Sequence, residues 1–401
     1  MNPLSLLRNY TAMLRQKLTP VKQDRILFTS FGGHYSDSPK AISQALHTLQ
    51  PDLEQVWLVK KQYAADLPAY VVAADADDPK TDAHYRATAR AVVDNVYGLR
   101  ESYLTSTSPA RRIKFRLETF LKTKNSQQVF TTWHGTPLKC MGRDQVGSSI
   151  LDFSCPNTTM LMGNRYTLDI MRHLTFEKIP MELTGTPRND LLCVPPRDDL
   201  KARLGLPEGK RIVLFAPTFR SDSDGIGQTN IHRSGLDQLN SMDFDRLFSA
   251  LSEKFGGEWA MVCRFHYHVE SQVDWAGLEQ RYPGQILNGN LHDDMAEYLA
   301  CTDLLLTDAS SSMYDFALTG RPCLLFFPDM EHYASKERGF YTPIDALPFP
   351  CAVAFEELLE QIRRFDQSSY SEKLSAMLTG YGFADDPDSS LRAARYIIDH
   401  I

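Results

Sequence analysis

Apolar residues in this chain gather into short runs separated by stretches of helical spacing, and the alternation persists along the sequence. Runs over residues 25–31, 55–59, 70–73, 91–96, 129–133, 159–162 and 181–184 predict the strands of a first block. Helices are predicted near 39–49 and over 165–174. A second block opens with a strand at 211–217 and continues with strands at 259–263, 285–287, 304–307 and 323–327. Its helices are predicted over 244–255, 293–301 and 313–318. Between the blocks, residues 194–209 are rich in proline and charge and read as a linker. Strand and helix alternating in two blocks predict an α/β protein of two doubly wound domains facing across a cleft. Ligands in such sheets bind beyond the carboxyl ends of the strands, so polar motifs at those ends carry the chemistry.

Length agrees with two domains: 401 residues exceed one ordinary core and suit two of roughly 200 residues. An apolar fraction of 43% with 23% charge is that of a soluble globular protein. No apolar run reaches the ~18 residues that a membrane-spanning helix needs. The first residues lack a continuous hydrophobic region, which argues against a secretory signal. Seven dispersed cysteines, with no Cys-x-x-Cys pair, argue against zinc and disulfides and for reduced cytosolic thiols.

Net charge is −7, yet two segments oppose it. Residues 8–25 hold Arg8, Arg15, Lys17, Lys22 and Arg25 against Asp24, and residues 110–124 hold Arg111, Arg112, Lys114, Arg116, Lys122 and Lys124 against Glu118. Leu7, Tyr10, Leu14 and Leu18 in the first, and Ile113, Leu117, Phe120 and Leu121 in the second, recur at helical spacing. Such helices either cover a core or lie on an anionic membrane surface, each basic residue there contributing about 1 kcal/mol. Overall acidity and the absence of a recognisable binding module argue against nucleic acid.

Candidate chemistry begins at Trp133-His134-Gly135-Thr136-Pro137-Leu138-Lys139, directly after an apolar run. Glycine and proline end regular structure there and set an imidazole on a loop. Histidine is the side chain best matched to proton transfer near neutral pH. In the second block, Ala216-Pro217-Thr218-Phe219-Arg220 ends one strand, and Cys263-Arg264-Phe265-His266 ends another with Arg264 and His266 on one side. Thr307-Asp308-Ala309-Ser310-Ser311-Ser312 ends a third and opens a helix, Ser312 and Asp315 having the spacing of a capping box. Lys336-Glu337-Arg338-Gly339-Phe340-Tyr341 adds a guanidinium on a loop. Singly, an arginine at a strand end is usually a surface ion pair and serines before a helix a cap. Together, three arginines and a helix start read as a diphosphate cradle. Neither a Walker loop nor a G-x-G-x-x-G fingerprint is present, against kinase and dehydrogenase chemistry.

With Thr184-Gly185-Thr186-Pro187-Arg188-Asn189-Asp190 added, these motifs resemble, in order, those of the CDP-glycerol glycerophosphotransferase family, the teichoic acid primases and polymerases and related capsule polymerases of bacteria. The similarity covers roughly residues 125–345; Phe219 stands where tryptophan is common and Ala309 where tyrosine is common. The resemblance implies a GT-B-like fold of two Rossmann-like domains. Residues 1–200 would form an acceptor- and membrane-facing domain completed by a C-terminal helix over 388–401, and residues 201–387 a CDP-donor domain. It implies transfer of glycerol phosphate, or a related alditol phosphate, from CDP-glycerol to a lipid-linked or polysaccharide acceptor, with release of CMP. It places the protein peripherally at the inner face of the cytoplasmic membrane, without cofactor or metal. His134 and His266 are implied as catalytic, and Thr218, Arg220, Arg264, Asp308, Ser310, Ser311 and Arg338 as donor-binding, with Gly135, Thr136, Pro187 and Arg188 lining the site. A sugar-nucleotide glycosyltransferase of the same architecture is the alternative.

Overall fold

The computed structural model describes residues 3–401 except 96–99, 102–112, 114–116, 118–123, 146–152, 155–156, 175–178, 196–197, 219, 224–228, 233, 266 and 332–338. The chain forms two compact units, one of Met1–His134, Met141–Asp190 and Gly382–Ile401, the other of Gly135–Cys140 and Leu191–Tyr381.

The first unit contains β1 (Lys22–Thr29), β2 (Glu54–Val59), β3 (Val71–Asp75), β4 (Ala89–Asp94), a short antiparallel pair of β5 (Arg100–Glu101) with β7 (Phe153–Ser154), β6 (Gln128–Thr131), β8 (Thr158–Met162) and β9 (Met181–Leu183). Seven of them make a parallel sheet in the order β3-β2-β1-β4-β6-β8-β9. The order reverses between β1 and β4, which is where a doubly wound sheet opens a binding crevice. Ile26, Phe28, Trp57, Val93 and Phe130 are buried on one face against Ile42 and Leu46 of the helix Asp37–Leu49. Ala393, Ala394 and Ile397 of the helix Ser389–Asp399 join that cluster, so the last segment of the chain helps close the first core.

The second unit holds β10 (Lys210–Ala216), the antiparallel hairpin of β11 (Arg220–Ser223) and β12 (Thr229–His232), β13 (Glu258–Cys263), β14 (Ile286–Asn288), β15 (Leu304–Thr307), β16 (Cys323–Phe326) and β17 (Cys351–Ala352). Its parallel sheet runs β14-β13-β10-β15-β16-β17, with the reversal between β10 and β15. Burial on both faces explains why β10, β13 and β15 read as unbroken apolar runs.

Several expectations change. Residues 194–209 do not form a free linker: Asp198–Arg203 is helical, Leu200, Leu204 and Leu206 are buried, and Arg203 forks onto Glu297 at 3.0 and 2.9 Å. The helix Pro79–Thr88 escaped prediction because it buries only Ala87 and Thr88 and shows no apolar stripe, although Asp78 caps it by accepting from the Lys80 and Thr81 N–H groups.

The basic segments also separate. Pro3–Leu18 is a helix with Leu14 and Leu18 exposed, but Lys22 and Arg25 are tied to Glu54 at 3.1 and 2.5 Å. Lys124 is buried, its ammonium donating to the carbonyls of Thr19 and Ala87. Arg111, Arg112, Lys114, Arg116, Phe120, Leu121 and Lys122 lie outside the described residues, while Ile113 and Leu117 are exposed. Among the described residues no helix is long and apolar enough to cross a membrane.

Truncating Ile397 to alanine opens a void in the first core and should cost about 2–5 kcal/mol. Denaturant melts of the two chains should show this loss; an unchanged profile would mean the last helix does not support that core.

Candidate functional site

In the first unit the candidate residues gather at the strand ends beside the β1/β4 reversal. Parallel β6 ends at Thr131, and the backbone turns sharply at Trp133, whose φ of +56° is rare for a bulky residue. Gly135 follows at φ +138°, a conformation that side chains other than glycine's rarely adopt. Such a left-handed turn costs on the order of 1–3 kcal/mol and persists only where surrounding contacts enforce it. They are present. The Thr132 N–H donates to the Asp94 carbonyl at 2.9 Å, and Arg188 Nη2 donates to the His134 carbonyl at 3.3 Å.

The His134 ring packs on Trp133 with centroids 3.9 Å apart, and its Nδ1 lies 3.3 Å from the Asn95 carbonyl oxygen. The residue remains open to solvent, yet the protein packed round the ring disfavours the imidazolium and holds the pKa below 6.5. The Asn95 carbonyl and the Asp37 carboxylate partly offset this, while the Arg188 charge adds to it. Arg188 Nη1 also donates to Asp37 Oδ1 at 2.8 Å, and Asn95 Nδ2 donates to Asp37 Oδ2 at 2.8 Å. Burial pushes the Asp37 carboxyl up, but Arg188 and the hydrogen bonds outweigh it and the net shift is downward. Asp37 is therefore ionised at neutral pH.

Pro187 and Arg188 sit in the turn Pro187–Leu192, and the motif around them is woven into the end of the chain. Asp385 accepts from the Thr186 N–H and Asn189 Nδ2, Arg392 donates to the Thr184 carbonyl, and Asp190 accepts from the Ser390 N–H. Much of this motif is thus scaffold, and Arg188 is the member that reaches the histidine. Asp37 and Asn95 were missed from sequence. Asp37 begins a helix, where an acidic residue is ordinary, and no local signal marks Asn95.

In the second unit Thr218 and Asp308 meet at the β10/β15 reversal. Asp308 is fully buried; its Oδ1 accepts from the Thr218 N–H at 2.8 Å and its Oδ2 from Gln238 at 3.4 Å. Ser310 Oγ accepts from the Ser312 N–H at 3.3 Å and lies 2.8 Å from Ser312 Oγ. The turn therefore starts at Ser310, two residues early, and Ser312 is inside the helix Ser312–Ala317 rather than opening a capping box with Asp315. Gly135, Thr136 and the residues as far as Cys140 belong to this unit. Here Leu138 and Cys140 pair through their backbone with Tyr341 and Gly339, joining two of the sequence motifs.

Arg264 departs from expectation. Its guanidinium donates to the carbonyls of Gly289, His292 and Asp293 at 2.6, 2.5 and 2.6 Å and lies over the Tyr298 ring. The strand ends at Cys263, and Arg264 turns into the 289–293 loop, where these bonds hold its guanidinium against the loop backbone. His266 and Arg338 fall outside the described residues, and of Arg220 only the backbone, paired with His232 in the hairpin, is described.

A sequence model of the family described as CDP-glycerol:poly(glycerophosphate) glycerophosphotransferase matches residues 11–399. The chain is 28% identical over 375 residues to the teichoic acid poly(glycerol phosphate) polymerase of Bacillus subtilis (strain 168), covering 89% of this chain and 46% of that protein. It is 26% identical over 415 residues to the teichoic acid poly(glycerol phosphate) polymerase of Bacillus spizizenii (strain ATCC 23059 / NRRL B-14472 / W23), covering 98% and 97% respectively. The chain thus spans about half the length of the first relative and nearly all of the second. A structure of the wall teichoic acid polymerase TagF aligns with a TM-score of 0.74 at 24% identity, covering 99% of this chain and 95% of that one. That likeness establishes a fold of two Rossmann-like, GT-B-like units.

Replacing Arg264 by methionine leaves three carbonyls without their donor. We expect a stability loss of at least about 2 kcal/mol, read from denaturant melts. Stability equal to the parent, with weakened CDP-glycerol binding, would restore it as a donor ligand.

Proposed function

We propose a reaction from one premise: the chain belongs to the CDP-glycerol:poly(glycerophosphate) glycerophosphotransferase family. In this reading it transfers glycerol phosphate from CDP-glycerol to a hydroxyl of a lipid-linked or polymer acceptor in teichoic acid or related envelope-polymer synthesis. The acceptor oxygen attacks the phosphorus that bears glycerol, the bond from that phosphorus to the oxygen shared with CMP breaks, and CMP leaves. The proton of the attacking hydroxyl passes to His134.

The observation that carries this reading is the placement of His134, on the left-handed turn after β6 with its ring at the Asn95 carbonyl and its own carbonyl held by Arg188. A base must be neutral before it accepts a proton, and the protein packed round the ring shifts this imidazole further toward its neutral form. Transfer at phosphorus otherwise asks for positioning and charge stabilisation. In the second unit the amides and hydroxyls at Ser310 and Ser311, with Arg220, Arg338 and His266, would hold the diphosphate. Thr218 would present its hydroxyl from a backbone fixed by Asp308. Within this unit the backbone of residues 138–140 pairs with that of residues 339–341, which fixes the segment of Gly135 and Thr136 beside these groups. Arg264 acts behind them by shaping the loop after β14. The acceptor is assigned to the first unit. Peripheral attachment to the inner face of the cytoplasmic membrane is supported by the exposed Leu14 and Leu18 on a helix with Arg15 and Lys17 in its last turn.

His134→Ala should lower CMP release from CDP-glycerol by about a hundred- to ten-thousand-fold while leaving nucleotide affinity intact. Near-normal release would remove His134 from the chemistry. The parent rate should fall in acid with a limb below pH 6.5, since protonation disables the base and its pKa is depressed. A limb above the ordinary imidazole range would contradict the assignment.

A further inference from the structure

We propose that Asp37 is a positioning residue for His134, fixing through Arg188 and Asn95 both the histidine's backbone and the tautomer of its ring. The inference rests on the reading of His134 as the base and names the groups that set its geometry.

The contacts form a closed circuit. From the Asp37 carboxylate, one arm runs through the Arg188 guanidinium to the His134 carbonyl, with lengths of 2.8 and 3.3 Å. The other runs through the Asn95 carboxamide at 2.8 Å, and the Asn95 main-chain carbonyl meets His134 Nδ1 at 3.3 Å. The histidine is gripped at its backbone and at its ring by two arms that share one carboxylate. Both arms are anchored elsewhere: Asn95 Oδ1 accepts from the Phe31 N–H at 3.1 Å, and the Arg188 N–H donates to Ser38 Oγ at 3.4 Å. Asp37 itself holds φ +66°, a conformation that aspartate tolerates better than most residues but that still needs enforcement.

The tautomer follows from donor chemistry. A carbonyl oxygen accepts and never donates, so the neutral ring carries its proton on Nδ1. The lone pair is then on Nε2, the atom that takes the acceptor's proton. The Asn95 carboxamide nitrogen faces two acceptors, Asp37 Oδ2 at 2.8 Å and Ser30 Oγ at 3.4 Å, and the shorter bond to the charged oxygen is the stronger hold on its orientation. An isosteric carboxamide at position 37 must turn its NH2 toward either Arg188 or Asn95, and one arm is lost. Among the described residues, Asp37 from the helix start and Arg188 from the turn after β9 are the charged groups acting on the ring. Asn95 after β4 and Trp133 after β6 are uncharged. Removing the carboxylate strips the ring of its favourable charge and leaves the guanidinium unopposed.

The test combines Asp37→Asn with long-range 1H–15N spectra of 15N-histidine-labelled protein, the His134 signals being assigned from His134→Ala. In the parent, neutral His134 should carry its proton on Nδ1. In Asp37→Asn the tautomers should mix and the acid limb of CMP release should move to lower pH. CMP release at saturating CDP-glycerol should fall about 10- to 100-fold, the scale of a slight misplacement of a reacting group. KM for CDP-glycerol should hold within about twofold, as expected when ground-state binding is untouched. A parent ring protonated on Nε2, or an Asp37→Asn enzyme with parental tautomer and pH profile, would overturn the proposal. If Asp37→Asn does not fold, the parent spectrum still decides the tautomer, and Arg188→Lys, which loses the fork, should slow turnover with KM for CDP-glycerol held. Unchanged turnover in Arg188→Lys would overturn the backbone arm. Intact CMP release in His134→Ala, with the Nδ1–H tautomer observed, would sink the base assignment and leave the positioning result standing.

Discussion

After β6 this chain changes backbone direction at Trp133 with a left-handed φ. Such a turn stores strain, and the contacts that hold it decide where the next side chain goes. Here the contacts are electrostatic. The Arg188 guanidinium holds the His134 carbonyl while its own charge is held by Asp37, and the Asp37 carboxylate orients the asparagine that meets the ring. In the proposed role the imidazole must be placed to a fraction of an ångström, which this ion pair serves, and be neutral, which the protein packed round the ring favours. Around it the first unit supplies support from distant sequence. The turn bearing Arg188 is fixed by Asp385, Arg392 and the Ser390 N–H, so the end of the chain stiffens the site as well as completing the core.

The second unit applies a related rule. Asp308 buries a carboxylate at the reversal of the sheet, where the Thr218 N–H satisfies it, and so sets the loop after β10 from the end of β15. Arg264 gathers three carbonyls of the loop after β14 and packs against Tyr298. Both are charged groups at strand ends, and both hold loop backbone in place.

The legible parts of the sequence were those with a local physical signature. Unbroken apolar runs marked both sheets because parallel strands are covered on each face, and glycine and proline marked the loop after β6. The helix Pro79–Thr88 was invisible because it buries almost nothing apolar. Residues 194–209 looked like a linker because a helix of six residues that packs through one side carries little pattern. Lys22, Arg25 and Lys124 looked like free cations; in the fold, carboxylates and carbonyls from other elements claim them. Arg264 shows the same limit, since sequence gives a side chain's chemistry and its place on a strand but not what fills the space beside it. Asp37 and Asn95 join the histidine only through contacts spanning tens of residues, which no local pattern encodes.

The central claim is that this chain moves a glycerol phosphate unit from a cytidine diphosphate donor to a hydroxyl. Mass spectrometry of a defined lipid-linked acceptor incubated with CDP-glycerol, with released nucleotide measured in the same sample, tests it most directly. The account predicts acceptor heavier by whole glycerol phosphate units and an equal number of CMP molecules released. Acceptor of unchanged mass, or acceptor extended only when a UDP-sugar is supplied, would contradict it.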